Sequence, residues 1–232
     1  MLTLRPSAER LRTRLEWLDS RHTFSFAEHY DPRFMGFRAL KVLNEDRVSP
    51  GRGFATHPHR DMEIVSYVIE GALRHQDSMG TGSIIRAGDV QRMTAGTGVL
   101  HSEANASGTE PVHFLQIWLT PRKQRLTPGY EQRSFPPDAR RGRLTLVGSI
   151  DGRDQSLTIH QDVDMYSAVL ESDDHVEHPL APGRHAWVHV VRGRVELNGS
   201  SLSAGDGAAL SEVAAAEFRA RMSSEVLLFD LA

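Results

Sequence analysis

The stretch Gly51–Gly71 reads GRGFATHPHRDMEIVSYVIEG. It sets an H-x-H pair, His57 and His59, just ahead of an apolar run, Ile64–Ile69, that closes on a glycine. Side chains two apart on a strand project from one face, about 6–7 Å apart along its axis, so both imidazoles can converge on one ion. A helix would splay the same pair apart, and the spacing therefore favours a strand-borne site. Pro58, between them, has no N–H to give a neighbouring strand, which suits an edge or a strand's beginning.

Short apolar segments of the same kind recur along the chain: Ala39–Asn44, Phe114–Leu119, Leu144–Val147, Trp187–Val191 and Val226–Leu231. Gly, Asp, Asn and Pro separate them, which is how many short strands of a sandwich or barrel read. The expected fold is all-β with little helix, Ala8–Leu15 and Glu212–Arg219 being the two helical candidates. Pro121–Gly142, rich in Pro, Lys and Arg, reads as a solvated connector. It divides the chain into an N-terminal domain, residues 1–125, and a C-terminal domain, residues 126–232.

The two sides look like diverged copies. YVIEG (Tyr67–Gly71) parallels HVVRG (His189–Gly193), and Ala87-Gly88-Asp89 parallels Ala204-Gly205-Asp206. Without gaps, His57 and His59 fall opposite Pro179 and Ala181, and His101 and Glu103 opposite Phe218 and Ala220. None of those four side chains can ligate a metal, so one ion per chain is expected, in the N-terminal half.

The chain is 39% hydrophobic and 25% charged, with a net charge of −3 and no cysteine. That excludes thiolate metal sites, disulfides and cysteine nucleophiles, and leaves nitrogen and oxygen to hold any metal. A mildly acidic chain has no long-range attraction for polyanions, so direct nucleic-acid binding is not expected. No apolar run approaches membrane-spanning length, and Met1–Trp17 lacks the apolar core of a signal peptide. A cytoplasmic protein with no membrane partner is the expectation.

A second segment, GDVQRMTAGTGVLHSEAN (Gly88–Asn105), places His101 and Glu103 two apart after a glycine turn. The two pairs together supply three imidazoles and one carboxylate. Such a set suits Fe, Mn, Co, Ni, Cu or Zn and leaves coordination positions open. The other histidines read more blandly. His22 and His29 flank Phe24 and Phe26 in a strand expected to pack on the barrel, His75 borders the cavity, and His175 and His178 sit beside Pro179 as in a loop.

The first segment resembles the first cupin motif at Gly51, His57, His59 and Glu63, with Gly71 one residue late. The second resembles the second cupin motif at Gly88, Gly96, His101 and Asn105. It departs in Thr94, where proline is usual, and in two extra residues before the histidine. HTFSFAEHYDPRFMGF (His22–Phe37), HQDSMG (His75–Gly80) and MTAGTGVLHSE (Met93–Glu103) are similar to the pirin family, nearest to its bacterial members with quercetinase activity.

The resemblance implies a bicupin whose N-terminal half holds one divalent metal ion, commonly iron, through His57, His59, His101 and Glu103. It leaves Glu63, the ligand in many other cupins, as a supporting or alternate group. It also implies oxidation of a phenolic substrate such as quercetin by O2, with release of carbon monoxide and Glu103 as a proton carrier. The alternative implied is a non-catalytic metal or redox sensor that binds a protein partner.

Overall fold

The computed structural model describes all 232 residues and is 58% strand and 4% helix. Strands β1 to β8 are Leu2–Arg5, Leu11–Arg14, Leu18–His22, Leu40–Val48, Gly53–His59, Glu63–Glu70, Ala72–Asp77 and Gly82–Arg86. Strands β9 to β16 are Asp89–Thr94, Val99–Asn105, Val112–Leu119, Gly129–Ser134, Thr145–Ser149, Leu157–Thr158, Val163–Leu170 and His175–Pro179. Strands β17 to β22 are His185–Arg192, Arg194–Leu197, Ser200–Ser203, Gly207–Ser211, Ala215–Ala220 and Ser224–Leu231.

Two compact units form. The N-terminal unit is Leu11–Ser134 with Leu157–Gln161. Its larger sheet runs β12-β9-β6-β11-β4-β3-β2 and its smaller one β5-β10-β7-β8, with antiparallel pairing throughout. Val48, Val68, Val112 and Phe114 of the larger sheet pack against Leu73 and Ile85 of the smaller one. The unit is thus a two-sheet β-sandwich rather than a fully closed barrel. The C-terminal unit is Met1–Arg10, Phe135–Ser156 and Asp162–Ala232. Within it β1-β20-β17-β22-β15-β13 form one sheet and β16-β21-β18-β19 another, around Val188, Val190, Leu197, Phe218, Val226 and Leu228.

The glycines that mark the repeat are held in place by sterics. Gly71 and Gly193 turn β6 into β7 and β17 into β18 at φ of 75° and 80°, where L side chains are strained. A Cβ would also meet the Pro111 carbonyl oxygen at 2.7 Å or that of Ser223 at 2.3 Å.

Several sequence expectations give way. Residues 8–15 hold only a short 3-10 turn, Ser7–Glu9, before β2, and 212–219 run mostly into β21. In both places side chains of alternating burial pair across a sheet, which outweighs weak helical propensity. The connector is largely structured: Gly129–Ser134 pairs with β9. His175 and His178 lie on β16, not in a loop. The units also exchange segments relative to a cut at 125/126, because β1 pairs with β20 in the C-terminal unit.

The gapless comparison of the halves is corrected as well. With Gly71 set against Gly193, Glu103, opposite His75, matches Phe218, opposite Leu197. His101 then matches Ala216, and their partners on the edge strands are His57 and His178. The N-terminal half has two more residues between its turn glycine and this strand position, Gly88–His101 against Gly205–Ala216. The positions equivalent to His57, His59, His101 and Glu103 are therefore His178, Leu180, Ala216 and Phe218.

Candidate metal centre

Pro58 lies on β5, the edge strand of the smaller sheet, as its missing N–H requires. The antiparallel ladder sets His57 directly opposite His101 of β10, and His59 opposite Val99. A bulge between His101 and Glu103 shifts the register so that Glu103 faces Phe54. The ligand nitrogens of His57, His59 and His101 lie within 4.8 Å of one another, and those of His75 and His101 lie equally close to a Glu103 oxygen. His101 belongs to both groups. Glu103 is thus grouped with His75 and His101 rather than with all three sequence-derived histidines.

The hydrogen-bond pattern fixes the tautomers. His57 Nδ1 lies 2.8 Å from the Ala55 carbonyl, an acceptor only, so Nδ1 carries the proton and Nε2 is bare. His75 Nε2 donates to Asp77 Oδ2 at 2.9 Å, which leaves His75 Nδ1 as an acceptor. His101 Nδ1 lies 3.5 Å from it, at the outer limit of a hydrogen bond. His101 Nε2 lies 3.0 Å from the bare His57 Nε2. Facing, oriented imidazole nitrogens of this kind are what a metal needs. The residues fit a divalent metal ion.

Electrostatics agree. Burial, then the neighbouring His57, His59 and His75, push the His101 pKa down to about 2. Burial and His57 lower His59 to about 4. Both rings are neutral at physiological pH, the form that ligates. Asp77 and His75, both with fully buried side chains, orient the His101 ring, and Asp77 had no expected role. The H-x-D alternation at His75 and Asp77 was the one available signal, because it puts both on one strand face.

Glu103 sits 1% exposed against a row of polar side chains crossing the larger sheet in register: Gln91, Ser66, Gln116, Asn44 and His22. The Ser66 hydroxyl donates to Glu103 Oε1 at 2.9 Å, and Gln116 Nε2 donates to Oε2. Burial raises the Glu103 pKa to about 7, with Asp46 adding to it and the two hydrogen bonds opposing. Glu63 is engaged elsewhere. Its Oε2 accepts from Thr94 Oγ1 at 3.1 Å and from the His160 backbone N–H at 3.2 Å, so it anchors Leu157–Gln161.

A cavity of about 220 Å³ opens on this centre, with Leu18, Phe26, Phe54 and Trp118 on its apolar wall and His57 and Glu103 at its polar end. Trp118 lies 4.9 Å from the His59 ring and 5.5 Å from Phe26, centroid to centroid. His22 and His29 stack at 5.0 Å and both reach Thr13 Oγ1, at 2.9 and 2.8 Å. They are packed residues, as the bland reading expected, with His22 also on the cavity wall. In the C-terminal unit His178 Nε2 lies 2.8 Å from Asp230, which also accepts from Arg184 Nε at 2.6 Å, and no three ligand groups converge there.

Residues 5–119 match the Pirin family model, and residues 146–231 match a quercetinase C-terminal cupin domain. The chain is 50% identical over 231 residues to a quercetin 2,3-dioxygenase of Escherichia coli K12, covering 100% of this chain and 99% of that one. The crystal structure of the E. coli bacterial pirin YhhW in complex with nickel(II) is 48% identical, with a TM-score of 0.95 over 100% of this chain and 99% of that chain. A quercetin 2,3-dioxygenase structure from Acinetobacter baumannii, 23% identical, shares the fold, with a TM-score of 0.78 over 95% of this chain and 84% of that one.

Proposed function

The chain belongs to the pirin family, and from that premise we propose that it is a metal-dependent dioxygenase of quercetin-type flavonols. Both atoms of O2 enter the substrate, the ring opens and carbon monoxide leaves. The observation that carries the reading is the pair of facing Nε2 atoms of His57 and His101, 3.0 Å apart, beside a cavity with an apolar wall and a buried carboxylate. His57, His59, His101 and Glu103 hold the ion, which we assign as iron, one per chain. When bound, the ion supplies a Lewis acid that makes a flavonol hydroxyl acidic and its ring electron-rich toward O2.

The protein's own groups do the rest. Leu18, Phe26, Phe54 and Trp118 offer a flat apolar surface to the substrate's rings and exclude water. Glu103, buried at the polar end of the cavity, is placed to take the hydroxyl proton. Ser66 and Gln116 keep its carboxylate aimed while the proton moves. The His75–Asp77 pair holds the ring of His101 in the ligating tautomer.

The test is anaerobic loading with Fe(II), followed by quercetin and a pulse of O2. Stoichiometric O2 uptake with CO release supports the reading. Metal binding without turnover of any phenol in a broad panel would favour a non-catalytic sensor instead.

A further inference from the structure

The polar row that supports Glu103 continues beyond Gln116 to Asn44, and there the hydrogen bonding stops. Asn44 is 4% exposed, and its Oδ1 has no partner. More than nine-tenths of buried polar groups are satisfied, and one left unpaired carries a desolvation penalty that a leucine of similar size would avoid. Ser66 and Gln116, earlier in the row, are both engaged with Glu103. Gln91, at the far end, also has an unpaired amide but does not line the cavity. Asn44 does line it, together with Phe26, Phe54 and Trp118.

An unsatisfied amide facing a cavity with aromatic walls is arranged for a flat ligand that brings its own polar group. We propose that Asn44 is the specificity-determining residue of this cavity, pairing with a ring hydroxyl of the substrate other than the one that reacts. The amide offers one acceptor and one N–H donor side, and a phenol offers the same pair, so a single hydroxyl satisfies either face. The ligand selected is a polyhydroxylated flavonol, in preference to one carrying the reactive hydroxyl alone. This deepens the flavonol reading and rests on it. The unpaired amide also sets a trade: stability is given up for recognition, as binding sites commonly do.

The experiment is a cycle of two ligands against two proteins. Quercetin and 3-hydroxyflavone, which lacks every other hydroxyl, are titrated anaerobically into metal-loaded wild type and Asn44→Leu, following tryptophan fluorescence. Wild type should bind quercetin more tightly. Asn44→Leu should weaken quercetin binding roughly three- to tenfold, the range of one lost hydrogen bond, and leave 3-hydroxyflavone unchanged. Without ligand, Asn44→Leu should melt no lower than wild type, and a few degrees higher if it fills the site well.

Equal weakening of both flavonols, or a melting point several degrees lower, would make Asn44 structural and overturn the proposal. Unchanged quercetin affinity in Asn44→Leu would overturn it while leaving the dioxygenase reading standing. Failure of wild type to bind either flavonol would remove both.

Discussion

His57 and His178 occupy the same place in two copies of one fold, on the edge strand opposite His101 and Ala216, and they do different things. His57 turns a bare Nε2 toward His101, with its other nitrogen tied to the Ala55 carbonyl. His178 spends its Nε2 on Asp230, which Arg184 also holds. Around His57 the equivalent positions carry His59, His101 and Glu103; around His178 they carry Leu180, Ala216 and Phe218. A histidine can serve as a ligand only where its neighbours also offer donor atoms and its own nitrogen is not already spent on an ion pair. Asp230, where the N-terminal unit has Trp118, turns its histidine into half of an ion-paired cluster.

The comparison is broken most forcefully at the inner histidine. His101→Ala should lower metal affinity and kcat/KM by more than 100-fold, whereas His178→Ala should leave metal content and activity at wild-type levels. Elemental analysis beside quercetin turnover reads both. Loss of metal in the His178 variant would mean that the two units are not separable in this way.

The carboxylates come next. Glu103→Gln should cost at least tenfold in metal affinity, because a neutral amide replaces an anion next to the ion. Glu63→Gln should keep the metal and instead lower the melting temperature, since Glu63 secures Leu157–Gln161 through Thr94 and His160. The reverse pattern would exchange their roles. Asp77→Asn should produce a smaller effect, about tenfold in metal affinity, by freeing His75 and with it the tautomer of His101.

The pH dependence of stability should differ in sign between the units. Glu103 of the metal-free protein has its pKa raised from 4.5 to about 7. It therefore contributes stability at low pH that is lost as pH rises through that window, on the order of 3 kcal/mol as an upper bound. Asp230 is opposite: burial raises its pKa, but the bonds from His178 and Arg184 outweigh it and the net direction is down. Its contribution is complete above 3.8 and fades as pH falls through the folded value. Melting curves of metal-free Glu103→Gln and of Asp230→Asn should each flatten one limb; a shared limb would contradict the assignment.

Much of this was legible in the sequence because it is local. The two-residue spacing of His57 and His59, Pro58 at an edge and the glycines at 71 and 193 depend on strand geometry that adjacent residues dictate. What escaped was non-local. The row Gln91–Ser66–Gln116–Asn44–His22 draws one residue from each of five strands and exists only once the sheet is in register. One residue more between His178 and Gly193 than between His57 and Gly71, and two residues fewer between Gly205 and Ala216 than between Gly88 and His101, defeated a gapless comparison of the halves, which is why His57 was set opposite Pro179 rather than His178. Gly129–Ser134 read as a connector because its pairing with β9 leaves most of its side chains half-exposed and its pattern weak.

We propose that one unit of the pair binds metal and the other does not. The most direct test is elemental analysis of purified protein after anaerobic loading and exhaustive gel filtration, run on wild type and on His57→Ala/His101→Ala. The account predicts one tightly bound ion per chain in the first and none in the second. Two ions in wild type, with one surviving the double substitution, would place a second metal in the C-terminal unit and contradict it.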